Sequence, residues 1–396
     1  MSVSPGLADG AEILPMIYLD YNATTPVAQP VAEAMIPFLS GNFGNAASAH
    51  AAGAAAAAAV EEARANVAEL VGAASANEIA FTSGGTESDN WAVIGTAEAM
   101  PERRHVITTR VEHGAVAKAF LRLAGRGWKV TFLGVDNEGR LDLDELSDAL
   151  TEDTALVSIM AANNETGVLF PIAEAAALVK ERSSAIFHSD GVNAVGKIPI
   201  DLSKSEIDLF SISAHKFGGP KGVGALYIRD GVRIQPMLIG GGQESGRRSG
   251  TTAVHQVVGM GAAARLAKEL EPMEAVRELR DQLESSVAIS IENTRVNGGG
   301  AERTPNTANI SFENTNGEMI LHRLNEAGIC ASTGSACHSK VHDASSTLTA
   351  MEVPFSYAMG SIRFSLGRPT TADEIREVTT RLPAIISELR AMSAAA

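Results

Sequence analysis

The chain has 396 residues, 45% apolar and 20% charged, the composition of a folded globular protein rather than a disordered one, and its length suggests two domains. Thirty-two Lys and Arg stand against 47 Asp and Glu, a net charge of −15 that argues against a nucleic-acid binder, which needs clustered Lys and Arg. No apolar run approaches the ~18 residues that span a membrane, and two cysteines, Cys330 and Cys337, are too few for a disulfide framework and form no paired zinc motif. The first basic residue is Arg64, so neither a basic signal n-region nor an Arg-rich transit segment is read, and a cytoplasmic location with reduced thiols is expected.

Residues 1–16 mix Ser, Pro, Gly, Asp and Ala without periodicity and predict a loose N-terminal arm. From 17 to 270 short apolar runs alternate with amphipathic stretches. Glu78–Thr82, His105–Thr109, Ala155–Met160, Ala185–His188, Asp208–Ser211 and Val223–Ile228 predict buried strands. Gly53–Val71, with Val60, Val67 and Leu70 on one face, and Pro171–Arg182, with proline in its first turn, predict helices. Such alternation predicts an α/β unit, a mostly parallel sheet with helices on both faces. The alanine tract Ala54–Ala59 is read as plain helix packing. Residues 271–396 predict a second unit: a helix over Met273–Ile291, a turn at Gly298–Gly300, a strand over Thr307–Phe312 and a helix over Glu318–Ala327 closed by Gly328. Its last helix opens on a capping box, Thr371 with Glu374, and is interrupted at Pro383.

Polar residues of unusual kind sit directly after the predicted strands. They are Ser83-Gly84-Gly85-Thr86, Glu112-His113, Asn163-Asn164-Glu165, Asp190 and Ser213-Ala214-His215-Lys216. Ligands of open α/β sheets bind outside the carboxyl ends of strands, so these clusters predict one shared pocket. The Ser-Gly-Gly-Thr run between strand and helix reads as a cradle for a single phosphate, its glycines letting backbone amides approach an anion. It is neither a dinucleotide fingerprint nor a P-loop. Lys216, at a strand end among small residues, is placed to form a Schiff base with a carbonyl. A carboxylate such as Asp190 facing a pyridine nitrogen keeps that ring protonated. Cradle, lysine and carboxylate are the three parts that pyridoxal phosphate (PLP) requires.

With these residues in place, the chain resembles the cysteine desulfurase and selenocysteine lyase family of fold-type I PLP enzymes, within the class-V aminotransferases. The resemblance runs from Tyr18-Leu19-Asp20-Tyr21-Asn22 through Thr82–Ser88, Asn163–Gly167, Ala214-His215-Lys216, Gly240–Glu244 and Arg248-Ser249-Gly250-Thr251 to Ser361–Arg368. It implies a large domain with a mostly parallel seven-stranded sheet, a smaller α+β domain carrying the catalytic cysteine, and a homodimer. It also implies that Lys216 holds PLP and that Gly85, Thr86, Ser213 and His215 hold its phosphate, with Thr251 reaching the phosphate of the other subunit. His113 would stack on the ring and assist proton transfer, Asp190 would bind the pyridine nitrogen, Asn164 would approach the ring hydroxyl, and Arg363 would hold the substrate carboxylate. Asn193 stands where the family usually has a Gln near that hydroxyl, one methylene longer. Small residues in Ser332-Thr333-Gly334-Ser335-Ala336-Cys337 predict a mobile loop, and His338 and Lys340 favour the Cys337 thiolate. Cys330, in an apolar stretch, is read as structural.

The activity this implies is desulfuration of L-cysteine to L-alanine, with a persulfide left on Cys337 for a sulfur acceptor or iron–sulfur scaffold protein. The alternative of selenocysteine lyase draws on Ala336-Cys337-His338-Ser339 and Val353-Pro354-Phe355, while Gly114 after His113 matches neither the Lys of many desulfurases nor the Asp of lyases. A third alternative is a PLP-binding scaffold without turnover, against which Lys216 and Cys337 together argue.

Overall fold

The computed structural model describes residues 16–334 and 344–394; residues 1–15 and 335–343, with Cys337 among them, lie outside the described residues. In chain order its strands are β1 (Ile17–Tyr18), β2 (Ile79–Thr82), β3 (His105–Thr109), β4 (Lys129–Leu133), β5 (Thr154–Ser158) and β6 (Ile186–Asp190). There follow β7 (Leu209–Ser213), β8 (Gly224–Ile228), β9 (Thr294–Val296), β10 (Thr307–Phe312), β11 (Ile329–Cys330) and β12 (Ser361–Ser365). Seven of these form one sheet in the order β2-β8-β7-β6-β5-β3-β4, in which only β8 runs against the rest.

Alternation along the strands builds two cores, one on each face. Ile79, Phe81, Ile107, Val157, Phe187 and Phe210 point to the side covered by the helices Ala51–Leu70 and Ile172–Arg182. Ala80, Val106, Leu156, Ile186, Leu209 and Leu226 point to the side covered by Gly85–Ala99 and Gly114–Ala124. Strands buried on both faces read as continuous apolar runs, which is why six of the seven were visible in the sequence. The seventh, β4, lies at the edge opposite β2 and is the less buried of the two: Lys129 is exposed and Val130, Thr131 and Phe132 are half-buried, whereas β2 is buried throughout. The alanine-rich helix packs closely, as expected. A Cβ at Gly261 of the helix Val254–Ala267 would stand 2.5 Å from Ala63 Cα, so two backbones meet there that larger side chains would separate.

A second layer packs the antiparallel sheet β12-β10-β9 against the helices Pro272–Ser290 and Ala372–Ala394. Its core holds Leu283, Ile310, Phe312, Phe364 and Leu382, joined by Ile17 and Leu19 from the start of the chain, where β1 pairs with β11 in parallel. Here one expectation is corrected. The last helix is not interrupted at Pro383 but runs unbroken from Ala372 to Ala394. An internal proline costs about 3 kcal/mol, and this helix buries Ile375, Val378, Leu382, Ile386 and Leu389 on one face, each contributing about 1.5–3 kcal/mol. Packing outweighs the missing hydrogen bond. The capping box is present, with the Thr371 N–H donating to Glu374 Oε2 (2.7 Å) and the Glu374 N–H to Thr371 Oγ1 (3.3 Å). No helix among the described residues is long and apolar enough to cross a membrane.

Candidate active site

The carboxyl ends of β2, β3, β5, β6 and β7 meet at one cavity of about 250 Å³. Gly85, Thr86, His113, Asn164, Asp190, Asn193, Ser213, His215 and Lys216 all line it, so nine of the ten positions expected to meet the cofactor converge. The tenth, Thr251, does not. It lines a separate cavity with Phe81, Gln243 and Arg248 on the outer side of the β2 end.

The cradle is built by the entry into the helix Gly85–Ala99. Gly84 has φ +149°, which side-chain-bearing residues avoid, and a Cβ at Gly85 would lie 2.7 Å from Val192 Cγ2. Among the described residues no acceptor meets the Gly85, Thr86 and Glu87 amides at this positive helix end. A neighbouring cavity shares Gly85, Thr86, Ser213 and His215 with the first and adds Lys221, whose charge suits an anion. Burial, then the charges of Lys216 and Lys221, push the His215 imidazole down to about 4, so it is neutral near neutral pH. Its Nδ1 lies 3.2 Å from Thr24 Oγ1. Glu87 holds the cradle in place: it accepts the Ser83 N–H (2.8 Å) and a bidentate pair from Arg248 (2.7 and 3.0 Å).

At the other end of the cavity stands Asp190, the last residue of β6, accepting the Val192 N–H at 2.9 Å. Two further acids lie near it that the sequence reading did not single out in this role. Asp89 Oδ1 and Glu112 Oε2 are buried without a hydrogen-bond partner. Burial raises Asp89 well above the carboxylate range, and the Asp190 charge raises it further. Burial also raises Asp190, but the His113 and Lys216 charges and the Val192 amide oppose this. The two environments differ: burial and the Asp190 charge both favour the protonated form of Asp89, whereas the His113 and Lys216 charges and the Val192 amide favour the charged form of Asp190. Asp89, His113 and Asp190 bring ligand atoms within 4.8 Å of one another, but a cation would need the proton of Asp89 removed. His188, beneath them, bonds Ser158 Oγ (2.8 Å) and Ser211 Oγ (3.0 Å), and burial pushes it down to about 3. It is a core histidine. His113 caps the helix Gly114–Ala124 by accepting the Ala115 N–H on Nδ1 (3.2 Å), which leaves Nε2 to carry the ring proton in the neutral form.

Glu112 gives a pH test. Burial lifts its carboxyl to about 8 against the ordinary 4.5, with the Met160 amide pulling down and Asp190 pushing up. The folded state therefore holds a proton that the unfolded state releases, and the resulting stability is complete below pH 4.5 and lost as pH rises through 8. Glu112→Gln cannot titrate. Its thermal midpoint relative to wild type is expected to rise between pH 5 and 9, and a difference that stays flat across that range would contradict the assignment.

Lys216 follows β7 on a short 3-10 turn, Ala214–Lys216, and its Nζ donates to the carbonyls of Asn22 and of Ala23, the latter at 3.2 Å. Arg363 on β12 is 4% exposed and lies outside the cavity lining. Its Nη1 donates to Asn164 O (2.9 Å), its Nη2 pairs with Asp20 Oδ1 (2.8 Å), and its buried Nε has no partner. Asn193 lines the cavity, but both ends of its carboxamide are engaged: Nδ2 donates to Asn163 O (3.0 Å) and Oδ1 accepts from Lys197 (2.7 Å). Glu165, next to Asn164, accepts from Ser345 Oγ (2.6 Å) and Thr347 Oγ1 (2.9 Å), just beyond residues 335–343. Asp89, Lys197 and Lys221 had no individual motif signal, and Asn22, although part of the Tyr18–Asn22 run, carried no assigned role, because their roles depend on contacts made across the fold.

The arrangement can hold a phosphate monoester, face a protonated ring nitrogen and present a primary amine to a carbonyl, all within one cavity. The comparisons agree. A family model described as aminotransferase class-V matches residues 17–378. The chain is 50% identical to "Cysteine desulfurase 2" of Trichormus variabilis, covering 96% of this chain and 95% of that one. It is 47% identical to "Cysteine desulfurase NifS" of Azotobacter vinelandii, covering 95% and 94%. A solved structure titled "NIFS-LIKE PROTEIN" superposes with a TM-score of 0.89 at 40% identity, over 95% of this chain and all of that one. With its sheet order, its cavity and these matches in agreement, the chain belongs to the class-V aminotransferase family.

Proposed function

We propose that this chain is a PLP-dependent cysteine desulfurase, taking L-cysteine to L-alanine and keeping the sulfur as a persulfide on Cys337. The observation that carries the reading is the convergence of Lys216, Asp190 and the open amides of Gly85 and Thr86 on one cavity. PLP is the cofactor of the family, and these residues suit its aldehyde, ring nitrogen and phosphate. Thr86, Ser213 and His215 would complete the phosphate contacts, His113 would cover the ring, and Asn164 and Asn193 would lie by the ring oxygen. Cysteine is placed ahead of selenocysteine because the relatives carry the desulfurase name.

When bound, PLP supplies an electron sink for the substrate α-carbon. Lys216 then moves the proton at that carbon, and Asp190, whose charged form the His113 and Lys216 charges and the Val192 amide favour, would keep the ring nitrogen protonated. Arg363 holds the substrate carboxylate. The Cys337 thiolate attacks the substrate sulfur: a sulfur–sulfur bond forms, the carbon–sulfur bond breaks, and protonation of the carbon gives alanine. No outside oxidant or reductant enters this balance. The sulfur would pass to an acceptor or iron–sulfur scaffold protein in the cytoplasm. Residues 17–270 would act as the cofactor domain and 271–396 as the smaller domain bearing the cysteine. A homodimer would bring Thr251 to the partner's cradle, consistent with its place outside its own and with exposed Leu238 and Ile239 on the same segment.

Alanine release from L-cysteine and from selenocysteine, measured side by side on the holoenzyme, tests this reading. Release only from selenocysteine would favour the lyase, and a yellow protein inert to both would favour a scaffold. Arg363→Ala should raise KM for cysteine while PLP stays bound, at a cost of about 2–5 kcal/mol in kcat/KM. Unchanged saturation by cysteine would place the carboxylate elsewhere.

A further inference from the structure

Lys197 is 7% exposed, yet among the described residues no carboxylate lies within 4.0 Å of its Nζ. The amine instead donates to two neutral carboxamide oxygens, Asn193 Oδ1 at 2.7 Å and Asn22 Oδ1 at 2.9 Å. Burial strips the ammonium of its water, and the charges of Lys216 and Arg363 oppose another cation, so its proton affinity falls well below that of an ordinary lysine. A neutral amine retains two N–H donors, and the geometry gives each one an oxygen.

The two oxygens belong to different parts of the site. Asn193 lies in the cavity wall and donates from Nδ2 to Asn163 O. With Lys197 on Oδ1, the orientation of this carboxamide is defined, and its second Nδ2–H remains to meet a ring oxygen. Asn22 lies on the strap after β1. Its backbone N–H donates to Ser365 Oγ (2.9 Å), and its Nδ2 donates to Asn164 O (3.2 Å) and Thr307 Oγ1 (2.9 Å). The Asn22 carbonyl accepts Lys216 Nζ, and the Asn164 carbonyl also accepts Arg363 Nη1. One side chain thus joins the wall to the strap on which both Lys216 and Arg363 depend.

We propose that Lys197 is a positioning residue, which by joining Asn193 to Asn22 holds in one arrangement the cavity wall, the backbone acceptor of Lys216 and the carbonyl used by Arg363. Its effect on turnover rests on the function proposed above; its effect on the strap does not. Lys197→Met keeps the apolar stem and removes both donors. In the cofactor-free variant, amides of residues 19–25 should exchange with solvent about ten-fold faster, the equivalent of one buried hydrogen bond. In the holoenzyme, the pH midpoint of the resting visible absorbance should move by about half a unit or more. The kcat/KM for L-cysteine should fall about ten-fold. Unchanged exchange overturns the proposal. So does faster exchange with an unmoved absorbance midpoint and a kcat/KM within about two-fold of wild type, since Lys197 would then be structural only. If Lys197→Met does not fold, Lys197→Gln, a neutral donor on a shorter stem, is judged by the same outcomes. A wild type that releases no alanine from cysteine would sink the proposed function, while the exchange and absorbance arms would still decide on Lys197.

Discussion

Lys216→Ala is expected to lose turnover by at least about 10³-fold, the scale at which a positioned acid–base and covalent group acts. The visible absorbance of the bound cofactor should be lost with it. The fold should survive, because Lys216 is only half-buried on a short turn and its Nζ meets backbone carbonyls of the strap rather than the core. Thermal unfolding should therefore change little while the spectrum changes completely. Borohydride treatment followed by mass spectrometry is the decisive measurement. A reducible cofactor adduct that persists in Lys216→Ala would assign the attachment to another amine. Lys197 is one alternative, being buried beside the same site with its proton affinity lowered well below that of an ordinary lysine.

Cys337→Ser is expected to abolish alanine release from cysteine while the cofactor stays bound. A thiolate must attack the substrate sulfur, and serine cannot form a persulfide. Only one other cysteine exists, and its setting argues against it. Cys330 sits on β11, paired in parallel with β1, and burial and then the Asp20 charge push its thiol up, away from the reactive form. Wild-type protein exposed to cysteine should carry one added, dithiothreitol-sensitive sulfur on the peptide containing Cys337. Sulfur found on Cys330, or a Cys337→Ser enzyme that still desulfurates at the wild-type rate, would reassign the acceptor. A selenol is more acidic than a thiol and its bond to carbon breaks more readily, so the same variant should keep part of any activity on selenocysteine.

Much of this protein was determined by its sequence alone, because the relevant signals are local. Continuous apolar runs marked six buried strands, and Gly84-Gly85 marked a turn that only glycines allow. The polar clusters after each strand converge because parallel strands bring their carboxyl ends to one edge. Where burial or long-range partners decide, the sequence was silent or misleading. Pro383 signals a break, yet the apolar face beneath it keeps the helix whole. The strand β4 lacks the pattern because it is only partly buried, with Lys129 exposed and Val130, Thr131 and Phe132 half-buried. Asp89 and Glu112 are ordinary acids in sequence and become proton holders only when the fold removes their water beside Asp190. Lys197 and Asn22 are separated by 175 positions, and Arg363 and Asp20 by 343, so their contacts exist only after the second layer docks on the first. Composition and spacing can name the chemistry that a chain carries, but the proton affinities that tune it are set by desolvation and neighbouring charge, which belong to the tertiary structure.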